Sequence, residues 1–79
     1  MPYASNITLP AGVRHVLPEH AQSIYREAFN HAWEQYRDHR EHEAVCHRIA
    51  WAAVKRTYQK EGGSWVPRPH LPARVREHL

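Results

Sequence analysis

The sequence predicts a small, mainly α domain: one short helix and two long antiparallel helices, followed by a short strand. Three observations carry that prediction. At 79 residues, with 42% hydrophobic and 24% charged side chains, the chain has the make-up of a folded domain with one modest core. Its six prolines lie towards the two ends, which leaves residues 19–62 without a proline. Within that stretch apolar residues return every three or four positions, the period of a helix with one buried face.

The short helix is expected within residues 9–17. Pro10 suits a first helical position, where its missing N–H costs nothing, and Val13, Val16 and Leu17 would share a face. Pro18 then stops that turn and opens the next helix, with Glu19 placing a carboxylate at the positive helix end. Through residues 18–37, Ala21, Ile24, Tyr25, Ala28, Phe29, Ala32, Trp33 and Tyr36 form one apolar stripe. No apolar residue occurs from Arg37 to Glu43. Asp38 and Glu41 have capping-box spacing there, so a new helix start is expected at that point. A single helix running on to Lys60 could not fold back to bury its own stripe.

The second long helix is expected over residues 41–60. Val45, Ile49, Ala52 and Ala53 lie together, Cys46, Ala50 and Val54 widen the patch, and Trp51 and Tyr58 carry it round. Only a strip near Arg48, Lys55 and Arg56 is plainly polar, so this helix should be central, and its alanines would let another helix approach closely. Gly62-Gly63 ends it, and Ser64-Trp65-Val66 reads as a short strand before Pro67.

Composition also excludes function classes. A lone cysteine, Cys46, rules out an internal disulfide, and residues 1–13 lack the positive cluster and apolar run of a secretory signal. A cytoplasmic protein is therefore expected. The longest apolar run, from Ile49 to Val54, is far too short to span a membrane. A net charge of +3 and a pI near 9.4 allow attraction to phosphate or to an acidic protein surface without selecting either. Eight histidines would make any charged interaction strongly pH-dependent.

Residues 1–66 form the expected domain, and residues 67–79 a tail rich in proline and arginine. Within the tail, Leu71, Pro72, Ala73, Val75, Arg76 and Leu79 match Leu9, Pro10, Ala11, Val13, Arg14 and Leu17 at the same spacing. Two proline-started turns can agree by coincidence, or the tail opens a second copy of the domain. A copied turn would also fit the first turn's seat, in the same chain or in a neighbour, which would favour dimers.

With these pieces placed, the chain resembles the ChaB family. The resemblance is carried by Met1-Pro2-Tyr3, Leu9-Pro10, Leu17-Pro18, His20-Ala21-Gln22, Ile24-Tyr25, Ala28-Phe29-Asn30, Ala32-Trp33 and Tyr36. It continues through Ile49-Ala50-Trp51-Ala52-Ala53-Val54-Lys55, Tyr58 and Trp65. It implies a mainly α, three-helix domain with a small sheet, in which residues 3–8 pair with the strand around Trp65. It also implies a regulator of a sodium or calcium/proton antiporter, while some relatives are linked to DNA instead. No catalytic residues come with the resemblance. The loop between the two main helices is shorter than in family members with a long, highly charged one. Here Asp38, Glu41 and Glu43 alternate with His39, Arg40 and His42, a poor arrangement for calcium or magnesium, which want clustered oxygens.

Among candidate sites, His39, His42, Cys46 and His47 have the residue types of a zinc site, but four convergent ligands are not evident and no metal is expected. Cys46 near His42 lacks an orienting third group and an oxyanion pocket, so no enzyme and no cofactor are expected. Trp33, Trp51, Trp65, Tyr25, Tyr36 and Tyr58 could stack bases, yet their helical spacing assigns most of them to the core, with Trp51 lying nearest the polar side.

Two partner readings result. In the first, a monomer or weak dimer docks on the cytoplasmic face of a membrane cation antiporter through Asp38, His39, Arg40, Glu41, His42 and Glu43. In the second, Lys55, Arg56, Lys60, Arg68, Arg74 and Arg76 bind nucleic-acid phosphates.

Overall fold

A computed structural model describes residues 2–68. After a 3-10 turn at Asn6–Thr8 come α1 (Ala11–Arg14), α2 (Glu19–Gln35) and α3 (His42–Thr57), then β1 (Tyr58–Glu61) and β2 (Ser64–Pro67). The two long helices pack against each other, α1 lies across the start of α2, and the two strands form an antiparallel hairpin.

Proline chemistry sets the first corner, with Pro10 one position before the first helical residue it was expected to be. Pro10 and Pro18 are the N-caps of α1 and α2, where no amide N–H is needed. Gln22 closes the corner from α2: its Nε2 donates to the Leu17 carbonyl at 2.9 Å and the Arg14 carbonyl at 3.3 Å. These are acceptors that the short helix leaves unpaired. Val13 and Leu17 are buried, but Val16, expected on the same face, is 46% exposed. One helical turn is too short to bury three residues of that spacing while also turning the corner.

The α2 stripe supplies the centre of the core. Ala21, Tyr25, Phe29 and Ala32 are buried, with Ile24, Ala28 and Trp33 half-buried beside them. From α3 come Cys46, Ala50, Ala53 and Val54. Ala52 is exposed, and α3 is an ordinary amphipathic helix rather than one covered on most sides. Ala50 has no exposed surface, in keeping with the expected close approach of the helices. Tyr36, the expected end of the α2 stripe, is the C-cap and stands partly in solvent.

Three expectations are corrected. The capping-box spacing of Asp38 and Glu41 does not start a helix: α3 begins at His42 with Glu41 as N-cap, and no side chain caps it. The helix also ends at Thr57, not Lys60. Tyr58 is extended (φ −129, ψ 154) because residues 58–61 are drawn into a hairpin. Gly62 and Gly63 take φ of 55 and 88, the two positive values of a type I′ turn, and this sets Lys60 opposite Trp65. Lastly, residues 3–8 do not pair with the strand around Trp65. Tyr3 is instead held by the Asn30 side chain on α2, whose Oδ1 accepts from Tyr3 N at 3.2 Å and whose Nδ2 donates to Tyr3 O at 2.8 Å. The tail match at residues 71–79, with Arg74 and Arg76, lies outside the described residues.

Candidate functional site

The turn between α2 and α3 is built from its backbone outward. Tyr36 N donates to Ala32 O at 2.8 Å and His39 N to Tyr36 O at 2.8 Å, so the chain leaves α2 through a tight turn. His39 Nδ1 then accepts from Glu41 N at 3.0 Å. At the far side His42 Nε2 lies 2.8 Å from the Trp33 carbonyl, and a carbonyl only accepts, so this nitrogen carries the proton. The His42 ring also lies against the Trp33 indole with centroids 3.9 Å apart. The turn is thus fastened at both ends.

Of the six expected contact residues, Asp38, His39, Arg40, Glu41 and Glu43 are exposed, and His42 is the half-buried anchor. Among the described residues, the ion pair present is Arg37 with Glu34 at 3.5 Å, within α2 and its end. The charges of Asp38, Arg40, Glu41 and Glu43 therefore face solvent with no internal partner among the described residues. An exposed polar turn on a fixed frame is a common setting for recognition.

The expected metal candidates point in different directions. His39 accepts the Glu41 amide, His42 is engaged with Trp33, and His47 Nδ1 is hydrogen-bonded to the Tyr25 hydroxyl. Among the described residues no three His, Cys, Asp or Glu side chains converge. Cys46 is fully buried, and that burial, with the Glu43 charge adding to it, pushes its thiol pKa up. A nucleophile needs the opposite shift.

The basic residues are partly assembled. Lys55 and Arg56 are exposed in the last turn of α3, and Lys60 is exposed on β1. Arg68 is already engaged: its Nε donates to Lys55 O at 2.7 Å and its backbone N to Thr57 O at 2.9 Å. These bonds satisfy carbonyls at the end of α3 and place a cation at its negative pole. Arg68 is thereby a helix cap before it is a phosphate ligand.

The aromatic residues are mostly core, as their spacing implied. Tyr25 and Tyr58 are buried, and Trp33, Trp51 and Trp65 pack on the core half-exposed. Trp51 meets Tyr25 edge-on at 5.2 Å and Trp65 at 5.7 Å, which ties the hairpin to the helices. Burial, with the Tyr3 phenol contributing less, pushes the Tyr25 pKa up to about 12.

One feature escaped sequence reasoning. A groove of about 480 Å³ runs between α2 and α3, with Ile24, Ala28, Ile49 and Ala53 among its lining and Glu27, His31 and Arg56 beside them. Periodicity assigned the four apolar residues to the core without distinction. Ile24, Ala28 and Ile49 are only half-buried, because no further layer covers that side in the described residues.

Three comparisons place the chain among known proteins. The ChaB family model matches residues 9–68. Relatives from Escherichia coli and Shigella flexneri, each named "Putative cation transport regulator ChaB", are 52% identical over 66 aligned residues. Those alignments cover 76% of this chain and 87% of each relative. A solved structure, the "NMR solution structure of the putative cation transport regulator ChaB", superposes with a TM-score of 0.74 at 45% identity. It covers 86% of this chain and 100% of its own. Sequence match and fold therefore agree over most of the described residues, and the chain belongs to the ChaB family.

Proposed function

We propose that this chain is a non-enzymatic regulatory binding protein that acts in the cytoplasm on a membrane antiporter exchanging sodium or calcium for protons. The name shared by its relatives supports a role in cation transport regulation. The observation that favours a docking role is the turn after α2, where Asp38, Arg40, Glu41 and Glu43 face solvent while His42 is fixed on Trp33. Mixed charges on a rigid turn suit recognition of a complementary polar loop, and a held backbone reduces the ordering entropy lost on binding. No helix among the described residues is long and apolar enough to cross a membrane, so the transporter supplies the membrane component.

Affinity capture from detergent-solubilised cells tests this reading, with and without nuclease. The expected result is recovery of a cation antiporter that resists nuclease and is lost when Asp38→Lys and Arg40→Glu are combined. Recovery of only nuclease-sensitive material would overturn it and favour phosphate binding by Lys55, Arg56 and Lys60. That alternative carries its own signature, an affinity that falls steeply with salt.

A further inference from the structure

The groove between α2 and α3 is lined in helical register on both walls. On α2 the lining is Ile24, Glu27, Ala28 and His31, at i, i+3, i+4 and i+7. On α3 it is Ile49, Ala53 and Arg56, at i, i+4 and i+7. Each wall therefore runs for about two turns, roughly 10 Å along its axis. The helices are antiparallel, since Tyr25 meets Trp51 while Trp33 meets His42. One end of the groove thus points towards the hairpin and the other towards the turn after α2.

The lining suits a helix. Each wall pairs an isoleucine with an alanine one turn away, Ile24 with Ala28 and Ile49 with Ala53. Methyl side chains let a third helix axis come close, while the isoleucines flank it with apolar surface. The space is about 480 Å³, and Ile24, Ala28 and Ile49 are half-buried around it. One more apolar stripe laid there would complete a three-helix bundle.

The described residues of the chain do not supply that stripe. Among them the large apolar side chains standing in solvent are Ile7, Val16 and Tyr36. These lie in the 3-10 turn, just after α1 and at the C-cap of α2, so none belongs to an exposed helical stripe. A second copy would bring its own groove, and two concave faces set together leave a void with lost contacts. The fit is therefore to a foreign helix. Its charges are set by the rim, where Glu27 stands on α2 and Arg56 on α3. Both are exposed, and neither forms an ion pair with another described residue. A helix with a basic edge towards α2 and an acidic edge towards α3 meets both. Turning such a helix end for end exchanges its edges, so the rim selects the direction in which it lies.

We propose that the groove between α2 and α3 binds an amphipathic helix of a partner protein, and that Glu27 and Arg56 set its direction by pairing with a basic and an acidic edge of that helix. Two turns of contact make a small interface, suited to a transient complex. The surface is separate from the turn of residues 38–43, and the proposal stands whatever that turn binds.

Titration of the isotope-labelled full chain with a designed helical peptide of about 14 residues tests this. The peptide carries a leucine stripe between a lysine edge and a glutamate edge, and a control keeps the charges but has serine in the stripe. The leucine peptide should shift the amides of Ile24, Ala28, Ile49 and Ala53, and the control should not. Ile49→Lys should weaken binding by more than about tenfold. Should that variant fail to fold, Ala28→Gln fills the groove from a half-buried position and should weaken binding likewise. A nitroxide on the peptide N-terminus should broaden amides at one end alone, in residues 36–41 or in residues 58–66. Combining Glu27→Lys with Arg56→Glu should move the broadening to the opposite end. No shift in the groove, or equal shifts with both peptides, would overturn the proposal. Broadening that stays in place after the charge exchange would overturn the role of the rim. Shifts that grow with protein concentration in the absence of peptide would overturn the foreign helix and assign the groove to a second copy.

Discussion

The ring of His42 lies on the indole of Trp33, centroids 3.9 Å apart, while its Nε2 donates to the Trp33 carbonyl at 2.8 Å. One residue at the start of α3 thus holds both the side chain and the backbone of a residue near the end of α2. The arrangement fastens the six-residue turn between them, so the shape of the proposed docking loop depends on a pair that flanks it.

His42→Ala should therefore cost about 1–2 kcal/mol, the sum of a hydrogen bond and an aromatic contact. Its more telling effect is local. Amide exchange in residues 36–41 should accelerate more than in α2 as a whole. Uniform acceleration would show that the pair serves general stability and does not define the turn.

A second prediction concerns the N-terminal segment. Asn30 meets both polar backbone groups of Tyr3 with its amide, and the Tyr3 ring packs tilted against Phe29 with centroids 4.9 Å apart. Asn30→Ala removes both hydrogen bonds and should destabilise the protein by about 1–2 kcal/mol. Loss of the near-ultraviolet signal from a packed Tyr3, with helix content unchanged, is the expected signature.

The hairpin turn gives a conformational test. A Cβ at Gly62 or Gly63 would meet nothing within 4 Å, so any cost of substitution comes from the positive φ alone. Gly62→Asn should be nearly neutral, since asparagine tolerates the left-handed region, whereas Gly63→Val should cost about 1–2 kcal/mol. Urea unfolding monitored by tryptophan fluorescence would report both. Equal costs would argue against the type I′ turn.

Tyr25 supplies a pH prediction. Its phenol is neutral in the fold until about 12, against an ordinary value of 10.0, because burial penalises the phenolate. The unfolded chain loses this proton first as pH rises. The contribution is fully present below 10, and it is lost as the pH climbs through the interval to about 12. Tyr25→Phe should flatten that part of the stability profile. The pKa of Tyr3 is also raised by burial, so ultraviolet titration should show the last tyrosine to ionise in the parent chain missing from the variant.

Much of the fold is legible because periodicity and proline speak to local physics. The α2 stripe from Ala21 to Ala32, the break before α3 and the corners at Pro10 and Pro18 follow from neighbours a few residues apart. The errors arise where partners distant in sequence decide. Residues 58–60 have helical periodicity, yet pairing with residues 65–67 makes them a strand. Asp38 and Glu41 have capping spacing, but the turn is directed by His39 and His42 acting on the backbone and on Trp33. The role of Arg68 as a cap on α3 was equally hidden, since a charge count treats every arginine as free to bind outward. For the candidate site, sequence reasoning located the exposed turn but not its anchor, and it passed over the groove beside Ile24 and Ile49.

The passage from α3 into β1 occurs between Thr57 and Tyr58 with no intervening loop. A helix end usually frays on its own, but here the last turn cannot unwind without dragging on the first hairpin pair, and Arg68 bonds back to Lys55 and Thr57 across the same junction. Helix end and hairpin should consequently open as one cooperative unit. Anything that grips the hairpin will be felt as protection of amides in α3, and a loosened hairpin will shorten the helix. The junction converts a surface event on four residues of strand into a change in the length of a core helix.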